Sequence, residues 1–271
     1  AREIVKDNPW SFLHISRPEI DLPQGIDPFS YEVYAKGAEN MARMLSEGIL
    51  CRDDAPGYYI YRVQTDDQVQ TGIVGVGSVE AYEDNLIRRH ELTRPDKETD
   101  RVKQILAVNA QTGPVFAIHK NDNDLSTLME ELTLGEPAYS IIGDGGSVHT
   151  LWVVMARQVI NRIAERFEKL GVIYIADGHH RSAAASHALS GVPKNKPASD
   201  LSGRTAIAKQ RLSIVTIAPA RSITLRTGVS LWPMIFGLLM MAPSQWKKFS
   251  NSGPLTPGNR YLLPPENPTT S

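Results

Sequence analysis

The stretch VIYIADGHHRSAAASHAL, Val172 to Leu189, joins an apolar run to a run of small residues through Asp177-Gly178-His179-His180-Arg181. The β-branched and aromatic run VIYIA reads as a strand. The alanine-rich run after the histidines reads as a helix. A strand that ends in Asp-Gly and turns into a helix places Gly178 to Ser182 at the helix N-terminus, where unpaired N–H groups and a partial positive charge collect. Gly178 allows a close backbone approach, and Arg181 can fork onto a phosphate or carboxylate. The junction is therefore a candidate anion cradle. Two other readings stand beside it. Asp177 can act simply as a helix cap worth about 1 kcal/mol, with both histidines exposed. The histidines can chelate a metal, but adjacent residues project to different sides of a helix. The chain also has no HExxH or CxxC pattern. A Mg²⁺ ion that bridges a nucleotide phosphate needs only one or two protein carboxylates, and Asp177 is the candidate ligand for it.

Outward from this junction the elements alternate irregularly. The spacing of Tyr31, Tyr34, Ala38, Met41, Met44 and Leu45 predicts a long helix from Ser30, stopped by Gly48. GYYIYRVQ and QTGIVGVGSVEAY read as two β runs joined by a hairpin at TDDQV, and GPVFAIHK as a further strand. TLMEELT reads as a short helix. AYSIIGD and SVHTLWVVM read as a hairpin around GDGG, which lacks the Lys-Ser/Thr of a phosphate-binding P-loop. RQVINRIAERFEKL is amphipathic and ends at Gly171. Near the start, AREIVKD reads as the end of a helix, SFLHIS as a short buried strand and RPEIDLPQGIDPF as a loop. This order predicts an α+β (mixed α/β) domain with a central mixed or antiparallel sheet and packed helices.

A second charged element, IRRHELTRPDKETDR, spans Ile87 to Arg101. If it is helical from Thr93 or Pro95, Lys97 and Arg101 share a face at i, i+4. That pattern is also what a solvated charged helix shows. His90 beside Glu91 at a strand end suits a general base or a ligand clamp. His149 and Trp152 read as residues that pack or line a wall rather than react.

The whole composition narrows the function classes. The chain has 271 residues, 41% hydrophobic and 22% charged, enough for one large domain or two small ones. The net charge of −1 gives no reason to expect nucleic-acid binding. One cysteine, Cys51, excludes an internal disulfide framework and fits a reducing, cytoplasmic setting. The longest apolar window, Leu231 to Ala242, is well short of the roughly 20 residues a bilayer requires, so no membrane partner is expected. Charge is divided unevenly: residues 191–271 carry ten Lys/Arg against two Asp/Glu, and residues 1–190 nineteen against twenty-eight. This predicts a domain over 1–189 and a basic Pro/Ser/Thr-rich tail over 190–271. The tail reads as an interaction segment, a poorly folding extension or misread sequence; in the last case the chain would be an inactive fragment.

EIVKDNPWSFLHISRPE, IRRHELTRPDKETDR, NAQTGPVF and IYIADGHHRSAAA together resemble the domain of unknown function 1015 family, over roughly Ala1 to Leu189. The DGHHR element is similar to the phosphate-binding strand-turn-helix of the ParB/sulfiredoxin superfamily, some of whose members are free-serine kinases. That resemblance implies a nucleotide-phosphate site at Asp177, Gly178, His179, His180 and Arg181, with His90, Glu91 and Arg101 as further pocket residues. It implies ATP or ADP with Mg²⁺ as cofactor. Arg181 would hold phosphate, and His90, Glu91, His179 or His180 would take a hydroxyl proton. The expected activity is a nucleotide-dependent phosphotransferase on a small, serine-like metabolite. The alternative is a nucleotide-binding regulatory module without turnover.

Overall fold

The computed structural model describes residues 1–53, 55–66, 68–143, 146–190, 211–217 and 261–262. In chain order the elements are α1 (Leu13–Ser16), a 3₁₀ turn (Pro18–Asp21), α2 (Tyr31–Ser46), β1 (Tyr58–Gln64), β2 (Val69–Ser78), α3 (Val79–Glu83), β3 (Ile87–Arg88), α4 (Pro95–Val108), β4 (Val115–His119), α5 (Asn123–Leu132), β5 (Tyr139–Ile142), β6 (Val148–Val154), α6 (Arg157–Leu170), β7 (Ile173–Asp177), α7 (His179–Ser190), β8 (Arg211–Ile217) and β9 (Tyr261–Leu262). Among the described residues nine strands form one sheet in the order β3-β7-β4-β8-β2-β1-β6-β5-β9. Most neighbours run antiparallel; β3/β7, β4/β8 and β5/β9 are parallel. This is the mixed α+β architecture that the sequence predicts.

Local chemistry explains the element ends. Extended Ser30 precedes α2, and Gly48 follows it at φ 65°. Pro95 opens α4, where its missing N–H costs nothing, and Asn109 in the left-handed region closes it. The Asp122 carboxylate accepts the Leu125 N–H at 2.8 Å and caps α5. The hairpins over β1/β2 and β5/β6 fall where their turn residues place them, with Tyr59 opposite Val74 and Ile141 opposite His149.

Three apolar clusters hold the layers together. Phe12, Ile15, Met41, Met44 and Val108 join the N-terminal segment to α2 and α4. Ile60, Ile73, Leu125, Trp152 and Ile163 pack α5 and α6 on β1, β2 and β6. Tyr82, Ile87, Val115, Ala117, Ile175 and Ala185 pack α3 and α7 on β3, β4 and β7. A side chain such as Ile163, fully buried, contributes about 1.5–3 kcal/mol. Ser182, Ala183, Ala184 and Ala185 are all buried, so α7 lies close against its neighbours because its side chains are short.

Four expectations are corrected. SFLHIS is helical over Leu13–Ser16, not a strand. His14 is turned to the Asp21 carboxylate at 2.8 Å and the Asn8 carbonyl at 3.1 Å, which holds the chain in a tight turn. AREIVKD forms hydrogen-bonded turns, with Val5 N–H on the Ala1 and Arg2 carbonyls, rather than a helix end. Within RPEIDLPQGIDPF, Pro18–Asp21 is a 3₁₀ turn. The β2 strand stops at Ser78, whose hydroxyl caps α3 by accepting from Ala81 N–H at 3.3 Å, so VEAY is helix. The apolar window Leu231–Ala242, and the tail expectation apart from β8 and β9, lie outside the described residues. Among the described residues no helix is long and apolar enough to cross a membrane.

Candidate functional site

Strand pairing brings the two charged sequence elements together. β3 and β7 are parallel, with Ile87 opposite Ile173 and Arg88 opposite Tyr174. Parallel strands end on the same edge of a sheet. The residues after β3, His90 and Glu91, therefore meet the residues after β7, Gly178 and His179. The His180 ring adds a tie, its Nε2 accepting the Arg94 N–H at 3.4 Å.

Gly178 forms the turn between strand and helix at φ 101°, where an L side chain is strained. Its carbonyl accepts the Ser182 N–H at 2.9 Å and begins α7. A Cβ at this position would lie 3.1 Å from the Arg181 guanidinium. Arg181 thus crosses directly over the turn, and its lower stem runs past Gly113, where a Cβ would meet Cδ at 2.9 Å. The guanidinium donates to the Pro114 carbonyl and to Asp177 Oδ2. Burial pulls Arg181 below its ordinary pKa, and the charge and hydrogen bond of Asp177 offset part of this. Asp177 is therefore the ion-pair partner of Arg181, and its side chain remains 58% exposed.

His179 is buried. Its ring meets His90 edge to face at 4.4 Å between centroids. Nδ1 stands 3.5 Å from Glu91 Oε2, and His90 Nε2 stands 3.9 Å from Glu91 Oε1. The His179 Nε2 atom is buried without a hydrogen-bond partner. Burial and neighbouring His90 lower its pKa, against an opposing pull from Glu91 and Asp177, so the ring is neutral near pH 7. The picture of two exposed histidines beside a capping aspartate does not describe this turn.

Next to the turn a cavity of about 620 Å³ opens where α2, α4 and α7 meet. Its walls carry the basic side chains of Lys97, Arg101, Lys103, His180 and Arg181, the carboxylates of Asp96 and Asp100, and Phe29 and Tyr34. Lys97 and Arg101 share the cavity face, as their i, i+4 spacing predicts. Asp100 accepts from the Tyr34 hydroxyl at 2.8 Å and pairs with Arg101 at 2.9 Å. Burial first, and then Asp100, hold Tyr34 well above its usual pKa. His90 and Glu91 are not among the residues that line the cavity; they stand with His179 beside it. Sequence reasoning missed Phe29, Tyr34 and Lys103 as wall residues, because Phe29 falls in a segment read as a loop, the apolar spacing of Tyr34 in α2 reads as core and a lone lysine carries no signal.

A family profile described as "Protein of unknown function (DUF1015)" matches residues 1–204. No curated protein matches the chain, and no solved structure matches it. The profile covers the strand-turn-helix, the β3 end and α4 together, and on that match the chain belongs to the DUF1015 family.

Proposed function

We propose that the cavity between α2, α4 and α7 binds a nucleotide through its phosphates, and that the protein is a phosphotransferase acting on a small hydroxylated metabolite such as serine. One observation carries the reading. Lys97, Arg101, Lys103, Arg181 and His180 converge on a single cavity of about 620 Å³, beside the first turn of a twelve-residue helix. That volume lies within the roughly 300–1,000 Å³ of small-molecule sites. Convergent basic side chains beside a helix N-terminus suit a polyanion. Phosphoryl transfer needs chiefly positioning and charge neutralisation, which such groups supply.

The residues divide into roles. Arg181 is pre-oriented by Asp177 and Pro114 and, with Arg101, contacts phosphate oxygens. With its Nε2 accepting from Arg94, the His180 ring presents Nδ1–H to a phosphate oxygen. Mg²⁺ enters with ATP or ADP and neutralises phosphate charge; the exposed Asp177 carboxylate fits the single protein ligand such an ion needs. The neighbouring His90, Glu91 and His179 take the hydroxyl proton. The resemblance of the DGHHR sequence to the ParB/sulfiredoxin phosphate turn supports the reading by analogy.

The test is direct. Tag-free full-length chain incubated with ATP or ADP, Mg²⁺ and L-serine should yield phosphoserine, and Arg181→Ala should lose the product. Absence of product from the parent chain contradicts the enzyme reading. The regulatory reading has one observation in its favour: His90 and Glu91 do not line the cavity. It predicts nucleotide binding with no nucleotide consumed.

A further inference from the structure

The ends of β3 and β7 bring together two imidazoles and a carboxylate from distant parts of the chain. His90, Glu91 and His179 each offer one ligand-type atom, and these atoms all lie within 4.8 Å of one another. Glu91 Oε2 lies 3.5 Å from His179 Nδ1, and Glu91 Oε1 lies 3.9 Å from His90 Nε2. Both separations are longer than the roughly 2.7–3.2 Å of an N–H···O hydrogen bond. The His179 separation is near the ~3.4 Å edge of a tetrahedron of N and O ligands placed about 2.1 Å from a central ion. The His90 separation, to the other carboxylate oxygen, is longer, so a small inward turn of the exposed His90 or Glu91 side chain brings the trio round one ion.

The His179 ring is 5% exposed. The nitrogen it turns to Glu91 is Nδ1, at 3.5 Å, so Nδ1 is the atom an ion among the three would bind. Nε2, on the far side of the ring, is buried without a hydrogen-bond partner; an ion on Nδ1 leaves Nε2 as the ring's N–H. The His180 tie to Arg94 and the β3/β7 pairing hold both ligand segments in place without the ion.

We infer that His90, Glu91 and His179 form a binding site for one divalent transition-metal ion. Two imidazoles with one carboxylate select zinc, cobalt, nickel, iron or manganese over magnesium and calcium, which take all-oxygen ligand sets. The side chains of His90 and Glu91 are 60% and 61% exposed. The ion consequently keeps open positions for water or a small ligand, in the manner of a reactive rather than a closed structural site. Asp177, the Mg²⁺ candidate, is not one of the three. None of the three lines the basic cavity, so Co²⁺ binding is read without nucleotide and its failure is distinguishable from a failure of the nucleotide reading, although the same three groups stand as the proton acceptors proposed there.

Visible absorption of cobalt tests it. Tag-free full-length chain, stripped with chelator, is titrated with Co²⁺ alone. The expected signal is a Co²⁺ absorption band that saturates at one equivalent, is displaced by one equivalent of Zn²⁺ and persists in excess Mg²⁺. His90→Ala and Glu91→Gln change exposed side chains and should each weaken Co²⁺ binding at least about tenfold, the scale on which lost metal-site partners act. His187→Ala removes another histidine of α7, one that pairs with Glu98 at 3.0 Å, and should leave the band unchanged. Absence of the band in the parent chain overturns the inference. So does a band that is equally strong in both His90→Ala and Glu91→Gln.

Discussion

His149 and His179 are both buried, at 2% and 5% exposure, yet their surroundings differ in kind. His149 lies in β6 with both ring nitrogens engaged, Nδ1 by the Tyr61 hydroxyl at 2.6 Å and Nε2 by the Ser147 hydroxyl at 2.9 Å. His179 has Nδ1 at 3.5 Å from a carboxylate and Nε2 with no partner, and it stands at a helix start beside a basic cavity. A buried polar ring that is fully satisfied rigidifies its surroundings. One that the fold leaves open, at a place where charge converges, marks a candidate site. The two rings teach that burial alone does not distinguish one histidine from another; the state of each nitrogen does.

The largest predicted effect follows from that contrast. His149→Leu removes the partner of the Tyr61 hydroxyl and one partner of Ser147 and should cost about 2–4 kcal/mol of stability, read from denaturant midpoints. His179→Leu removes a ring with an unpaired nitrogen and should change stability by less than about 1 kcal/mol, while Co²⁺ binding disappears. Equal losses in the two variants would break the comparison.

Gly178→Ala comes next. It forces a Cβ into a φ of 101° and against the Arg181 guanidinium. A cost of about 1–3 kcal/mol is expected, together with weaker nucleotide binding as Arg181 is displaced. Unchanged nucleotide affinity in this variant would separate the turn from the cavity.

A pH effect follows in size. Burial lowers the pKa of both His149 and His179 below the ordinary 6.5. Below that value the unfolded chain takes up protons that the folded chain does not, so stability falls as pH drops through about 6.5. Melting temperatures measured from pH 7.5 down to 5.5 should decline, and His149→Leu should flatten the slope. A slope that the variant leaves intact would move the effect to other groups. The smallest change belongs to the surface. Lys36→Ala removes an exposed i, i+3 pair with Glu39 and should alter stability by no more than about 0.5 kcal/mol.

Much of the fold could be read from the chain because the deciding signals are local. The apolar run into Gly178, the amphipathic spacing of α2 and α6, and the two hairpins each declare themselves within some twenty residues. SFLHIS could not, since four residues are too few for a periodicity to favour helix over strand. The decisive tie there, His14 to Asp21, is a side-chain contact. The insertion of β8 between β4 and β2 joins segments some 100 to 140 residues apart, and nothing in either strand names its partner. The candidate site divides the same way. Arg181, Gly178 and the shared face of Lys97 and Arg101 are legible in spacing. The meeting of His90 and Glu91 with His179 depends on β3 lying parallel to β7, which is a property of sheet order and not of either segment.

The central claim is that the cavity of α2, α4 and α7 accepts nucleotide phosphates. Titration calorimetry of the full-length chain with ADP and with ATP, each with Mg²⁺, tests it most directly when Arg101→Ala is run alongside. Arg101 is exposed, so its loss leaves the core untouched. The prediction is saturable binding by the parent chain, weakened by about tenfold, or about 1.4 kcal/mol, in Arg101→Ala. No binding by the parent chain, or identical affinities in the two proteins, would contradict it.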